Sequence, residues 1–309
     1  MRLDGIHHVT CITGDAPRNV DFYARVLGLR MVKKTVNQDD PTVYHLFYAD
    51  EEGSPGADIT FFEYPGARRG YAGAGMIHTI TWRVASPAAL DFWADRLAGE
   101  RIETERDGDR LSFADPEGLG LELRIVETED EPLLAHHAEI PEEHALQGFD
   151  GVRAFSDDPD QSRAFLVETL GFWPEGEDAY NVRGETRGSG YAYDRSEQRG
   201  LGGAGTVHHV AWSSTMEDHE AWQRRVAESG ARPTPIIDRF WFRSIYFREP
   251  SGVLFEIATV GPGFAADEPV ETLGERLVLP PAFEHLRDEV EQRLTPLPNP
   301  RELASPASR

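Results

Sequence analysis

The stretch Gly73-Ala74-Gly75-Met76-Ile77-His78-Thr79-Ile80-Thr81-Trp82 returns in the second half of the chain as Gly203-Ala204-Gly205-Thr206-Val207-His208-His209-Val210-Ala211-Trp212. Each copy reads as an alternating strand entered from a glycine-rich turn. Internal repetition on this scale decides the fold. Two more pairs extend it. Asp115-Pro116-Glu117-Gly118-Leu119-Gly120-Leu121-Glu122-Leu123 matches Glu249-Pro250-Ser251-Gly252-Val253-Leu254-Phe255-Glu256-Ile257, a turn followed by a strand carrying one Glu. Phe22-Tyr23-Ala24-Arg25-Val26-Leu27-Gly28-Leu29 is similar to Phe165-Leu166-Val167-Glu168-Thr169-Leu170-Gly171-Phe172, a helix ending at a glycine cap. Helix starts fall at Asp15 before Pro17, Ser86 before Pro87, Asp158 before Pro159 and a Ser214/Glu217 capping box, and Gly28, Gly99, Gly171 and Gly230 stop them. A strand, a helix and further strands therefore occur four times, over residues 4–64, 75–127, 147–195 and 205–260.

A half-open sheet with one helix cannot cover its own apolar face, so modules must pair. The expected fold is α+β, with four βαβββ modules paired into two domains of half-open mixed sheets. Residues 1–130 hold modules 1 and 2, and residues 147–262 hold modules 3 and 4. Between them, 131–146 reads as a solvated linker rich in Glu, Asp, Pro and His. In the tail, 263–309, Phe283, Leu286, Val290 and Leu294 recur at helical spacing between Pro-rich stretches, which predicts a helical strap docked on the body.

The 309 residues, 39% of them apolar, suffice for real cores and exclude a disordered chain. Against 54 acidic residues stand 31 basic ones, a net charge of −23, which argues against nucleic acid as partner because that binding relies on cationic side chains. Cys11 is alone, so one chain builds neither a disulfide nor a Cys-based zinc site. No apolar run approaches the roughly 18 residues of a membrane span, and Met1-Arg2-Leu3-Asp4-Gly5 lacks an apolar signal core. A cytoplasmic protein without a membrane partner is expected.

The module starts align as Gly5-Ile6-His7-His8-Val9-Thr10, Ile77-His78-Thr79-Ile80, Phe149-Asp150-Gly151-Val152 and Val207-His208-His209-Val210. The second doublet position is thus His8, Thr79, Gly151 and His209. Neighbours in a regular strand face opposite ways, so one histidine of each doublet is expected to be a ligand and the other its neighbour. Four residues past the turn glycine come Glu122 and Glu256, but Thr60 in module 1; Glu63, three further on, faces away unless the strand is bulged. His8, His209 and Glu256 form the two-imidazole, one-carboxylate set that suits non-haem Fe(II) and leaves positions open, with Mn(II) the second choice. Glu122, without a histidine partner, reads as structural. His45, His78 and His219 read singly as packed or surface residues, and His136-His137 has no rigid strand to aim it.

With these residues the chain resembles the vicinal oxygen chelate superfamily of glyoxalases, bleomycin and fosfomycin resistance proteins and extradiol dioxygenases. The resemblance covers nearly the whole chain and is most specific at Ile6 to Thr10, Val207 to Val210 and Arg239 to Glu256. Drawing the metal from modules 1 and 4 resembles the hydroquinone ring-cleaving type; the catechol type takes its first histidine from module 3, where Gly151 stands. The resemblance implies metal ligands His8, His209 and Glu256, with His7, Thr10, His208, Arg239 and Tyr246 around the substrate. It further implies a small aromatic diol and O2 as partners, ring opening beside a hydroxyl-bearing carbon with both oxygens retained, and a possible homodimer. Two other readings stand beside it: a glyoxalase-type lyase or isomerase, which needs a second carboxylate such as Glu63, and a metal-free protein that sequesters a small molecule.

Lys33 and Lys34 are the only lysines beside 29 arginines, and this acid-rich, lysine-poor balance keeps a protein hydrated at high ionic strength. Screening of the −23 charge predicts a melting temperature that rises by several degrees between dilute buffer and molar salt. Calorimetry showing it highest in dilute buffer counts against salt adaptation.

Overall fold

The computed structural model describes residues 1–303. Each module supplies four strands. Module 1 holds β1 (Ile6–Thr13), β2 (Arg30–Asn37), β3 (Asp40–Ala49) and β4 (Asp58–Glu63); module 2 holds β5 (Met76–Val84), β6 (Thr104–Asp107), β7 (Arg110–Ala114) and β8 (Gly120–Ile125). Module 3 follows with β9 (Phe149–Ser156), β10 (Trp173–Pro174), β11 (Ala179–Arg183) and β12 (Gly188–Arg195), and module 4 with β13 (Thr206–Ser214), β14 (Ile237–Asp238), β15 (Arg243–Arg248) and β16 (Leu254–Thr259). The helices between first and second strands are α1 (Ala16–Val20), α2 (Pro87–Gly99), α3 (Asp160–Ala164) and α4 (His219–Glu228), of which α1 and α3 run on into a π-helical turn. Asp15 and Ser86 cap α1 and α2 by accepting from the amides of Arg18 and Ala89. The Ser214/Glu217 box does not form, because Ser214 is still the last residue of β13 and bonds the Ala258 carbonyl instead. None of these helices is long and apolar enough to cross a membrane among the described residues.

The strands form two eight-stranded sheets, in the orders β14-β15-β16-β13-β1-β4-β3-β2 and β10-β11-β12-β9-β5-β8-β7-β6. Module 1 therefore shares a sheet with module 4, and module 2 with module 3. This corrects the expected pairing within residues 1–130 and within 147–262. In each module the first strand pairs with the fourth on one side and keeps its other edge open, so any two modules can join there. The link between β4 and β5 runs beside the link between β12 and β13, with bridges Arg69 to Ala204 and Tyr71 to Leu201. Gly73 has no room for a side chain, since a Cβ would stand 2.1 Å from the Gly200 amide nitrogen. Residues 131–146 are also more than a solvated linker, because Ile140, Ala145 and Leu146 are buried in the main core.

The seams carry the feature on which the site depends. In β1 against β13 the register jumps between Ile6 and His8 and between Thr10 and Cys11, so His7 on one strand and His208 on the other are surplus residues. These are β-bulges. Their effect is visible in burial: Ile6 and Val9, and likewise Val207 and Val210, point into the main core, while both histidines of each doublet turn to the opposite face. The seam between β5 and β9 repeats the pattern, with His78 and Asp150 as the surplus residues.

Beyond β16 the chain returns over the first sheet. Val278 donates its amide to the Lys34 carbonyl, and Leu279, Val290 and Leu294 enter the main core, the last two from α5 (Arg287–Arg293) and its end. The expected strap is present, although Pro281–Leu286 is a 3-10 turn and not part of α5. Lys33, fully buried, reaches the tail: its Nζ donates to Asp267 at 2.9 Å and to Glu268, and lies 5.1 Å from the Trp241 ring centre. Removing one partner of a buried pair strands the other without water. Lys33→Ala is expected to lower stability by about 3 to 5 kcal/mol in denaturant unfolding. Arg293→Ala, whose ion pair with Glu289 lies on the exposed face of α5, should lower it by less than about 1 kcal/mol.

Candidate metal centre

Three strands bring the proposed donors together. His8 comes from β1, His209 from β13, and Glu256 from β16, where it is registered beside Ala211 and Tyr246. All three side chains are buried. Glu256 Oε2 lies 2.8 Å from His209 Nε2 and 3.3 Å from His8 Nε2, and the two Nε2 atoms are 3.3 Å apart. Donors about 2.1 Å from one ion and at right angles stand about 3.0 Å from one another, so this spacing fits a metal. Among the described residues, Glu256 Oε2 also finds no donor N–H or O–H aimed at it, although it is buried. An anion so placed needs a cation. Its other oxygen accepts from Ser244 Oγ. Burial alone pushes the Glu256 carboxyl up, yet the charges of His8 and His209 hold it well below the usual carboxylate range. Among the described residues no other three such side chains converge this way.

The doublet neighbours orient the rings. His7 Nδ1 meets His8 Nδ1 at 2.9 Å, and His7 Nε2 meets the Thr259 carbonyl at 3.1 Å. A carbonyl only accepts, so His7 carries its proton on Nε2. Burial and the nearby His8 push His7 down to about 3, leaving it neutral with a bare Nδ1. His8 must then donate from Nδ1, which turns its Nε2 toward the cluster, the nitrogen that a metal would take. On β13, His208 Nδ1 meets His209 Nδ1 at 2.8 Å in the same manner. Opposite faces were expected for each doublet; the bulges put both rings on one face.

Around the cluster opens a cavity of about 380 Å³. Thr10, Arg239 and Tyr246, singled out from the sequence, line it. Tyr246 lies 5.5 Å, ring centre to ring centre, from His209, and Arg239 sits 5.4 Å over the Tyr246 ring. Arg239 is paired in a two-pronged bridge with Asp39, at 2.8 and 3.0 Å, and not with Asp238. Trp241 and Phe242 form part of the wall. Sequence reading missed the wall from module 1: Asn37 at the end of β2, Gln38 and Asp39 after it, His45 and Phe47 on β3, and Phe62 on β4. The period-two spacing of His45 and Phe47, and of Thr60 and Phe62, was the available signal.

Glu63 takes no part. It is paired in register with Thr13 at the end of β4, and its Oε1 accepts from the Ala16 amide at the start of α1. Thr60 instead donates to Thr10. In the other sheet, Thr79 bonds His78, and Glu122 accepts from Thr81 and Arg110.

The model of the glyoxalase/bleomycin resistance protein/dioxygenase superfamily matches residues 5–123 and 148–257. The Bacillus subtilis (strain 168) protein named "Putative ring-cleaving dioxygenase MhqO" is 44% identical, over 94% of this chain and 96% of its own. Chlorohydroquinone/hydroquinone 1,2-dioxygenase of Sphingobium indicum is 34% identical, over 94% of this chain and 95% of its own. The crystal structure of a "putative dioxygenase" from Bacillus subtilis superposes with a TM-score of 0.90 at 42% identity, covering 96% of this chain and 98% of the other. Maize glyoxalase I, at 14% identity and a TM-score of 0.57 over 82% of this chain and 92% of its own, shares the fold alone. The chain belongs to the glyoxalase/bleomycin resistance protein/dioxygenase superfamily and is an enzyme of the dioxygenase type.

Proposed function

We propose that this enzyme is a non-haem, Fe(II)-dependent dioxygenase that opens the ring of a hydroquinone, substituted or not, and places both atoms of O2 in the product. The observation that carries this reading is the convergence of His8, His209 and Glu256 inside an aromatic-walled cavity. The 34% identity to a protein named chlorohydroquinone/hydroquinone 1,2-dioxygenase supports the substrate class. His8, His209 and Glu256 would hold the metal, Fe(II) or, as second choice, Mn(II). When bound, that ion supplies a more acidic coordinated hydroxyl and a place for O2.

The protein's own groups do the rest. Phe47, Phe62, Trp241 and Phe242 hold an aromatic ring and keep water out. Burial and the charge of Glu256 push the Tyr246 phenol up, so it stays protonated and can donate to an oxygen that gains negative charge. Arg239, its guanidinium held by Asp39, sits over the ring of that tyrosine and steadies its position. His7 and Thr10 fix the orientation of the His8 and Thr60 groups. His208 is open to the outside and bonded to His209, which suits it to pass a proton between the site and solvent. A four-donor centre of the glyoxalase kind gains no support from Glu63, which is occupied at α1.

Two measurements test the reading. Protein reconstituted anaerobically with Fe(II) is expected to retain a single ion per chain. His209→Ala and Glu256→Ala should retain less than about a tenth of that, whereas Thr79→Ala and Glu122→Ala should retain all of it. In an oxygen electrode, hydroquinones should drive uptake at least about tenfold faster than catechol, and His209→Ala should abolish it. Catechol as the better substrate, or uptake that survives His209→Ala, overturns the proposal.

A further inference from the structure

His45 read as an ordinary packed histidine in the sequence, but its surroundings define a chemical role. Its ring stands on the wall of the metal cavity, 3.9 Å from the Phe47 ring centre and 4.4 Å from that of Phe62. Its Nε2 lies 2.9 Å from Thr60 Oγ1. Thr60 has one hydroxyl hydrogen, and it is donated to Thr10 Oγ1 at 2.9 Å. Thr60 can therefore only accept from His45, so the His45 proton sits on Nε2. Burial, reinforced by the charges of His8, His209 and Arg239, holds this imidazole well below its ordinary pKa, so it is neutral. The remaining nitrogen, Nδ1, is a lone-pair acceptor with no hydrogen-bond partner among the described residues. The other polar groups at this end are engaged: the Asn37 amide donates to Tyr64, and the Gln38 amide to the Arg239 carbonyl.

We propose that His45 Nδ1 accepts a hydrogen bond from the second hydroxyl of the substrate, the one held away from the metal ligands, and so selects aromatic diols that can donate there. This deepens the proposed function and rests on it for the identity of the ring. The two walls of the role are separable: Phe47 and Phe62 recognise any aromatic ring, whereas a bare acceptor on the half-buried cavity wall, shut off from water by a bound ring, penalises a ligand without a donor.

The test compares hydroquinone with 4-methoxyphenol, which keeps the ring and one hydroxyl but cannot donate from the far oxygen. Binding to Zn(II)-loaded protein without oxygen is followed by calorimetry. Wild type should bind hydroquinone about 10- to 100-fold more tightly. His45→Phe, which keeps an aromatic ring, should erase that preference by weakening hydroquinone alone, and His45→Gln, whose amide oxygen can accept, should restore part of it. As a separate readout, the His45 Nδ1 resonance in nitrogen NMR should shift with hydroquinone and not with 4-methoxyphenol. No preference in wild type, or a preference that persists in His45→Phe, overturns the assignment. Oxygen uptake reports the ring-cleaving reaction independently: a protein that discriminates the two ligands yet consumes no oxygen keeps the His45 role and loses the proposed function.

Discussion

Two antiparallel strands, β1 and β13, meet with one surplus residue each, and that mismatch determines what can stand between them. A regular strand alternates its faces, so a His-His pair would lose one ring to the core. The bulge removes that loss. With His7 and His208 as the extra residues, each strand presents two imidazoles on one side while its flanking apolar residues stay on the other. Two strands then suffice for four rings, of which two converge and two hold the first pair in place. Glu256 reaches the same point because β16 lies beside β13 with Ala211 opposite it.

The second seam shows that the bulge by itself makes no centre. β5 and β9 carry it at His78 and Asp150, yet Thr79 and Gly151 stand where His8 and His209 do in the first seam. There Glu122 is neutralised by Arg110 at 3.3 Å. Glu256 has no arginine partner among the described residues and is more deeply buried. The same fold position therefore hosts either a carboxylate paired with an arginine or one that faces two imidazoles, according to the residue at the doublet. The scaffold is otherwise alike on both sides. Asp115 accepts from Tyr23 beneath the turn of module 2, and Glu249 accepts from Tyr193 beneath the turn of module 4. Both bonds tie successive modules together across the two sheets.

Much of this was legible in the amino-acid sequence, and the parts that were not share a cause. The repeats, the helix stops, the two doublets and the Glu after the turn are local patterns, readable from spacing within a dozen residues. The bulges were legible too, in retrospect: in Ile6-His7-His8-Val9 and Val207-His208-His209-Val210 the apolar flanks are three residues apart, an odd step that a regular strand cannot place on one face. The pairing of modules was not legible, because all four first strands expose the same kind of apolar edge and either pairing satisfies it. His45 escaped for a related reason. Its significance comes from Thr60 and Thr10, brought beside it by the pairing of β3 with β4 and of β4 with β1, and no motif within β3 announces it.

The closure of the first sheet follows from its two edges. β2 and β14 are the outermost strands, seven places apart in hydrogen-bonding order, yet Asp39 after β2 and Arg239 after β14 join in a two-pronged bridge, and Gln38 donates to the Arg239 carbonyl. The sheet must curl for them to meet. Behind the bridge, Lys33 on the inner side of β2 anchors the tail at Asp267, and Asp267 in turn accepts from Trp241 Nε1 in the cavity wall. The tail thus does more than cover apolar surface: it fixes the wall against which a substrate ring would rest. Curling, bridge and tail act on one cavity, and each draws its charged groups from an edge that an eight-stranded sheet would otherwise leave open to other chains.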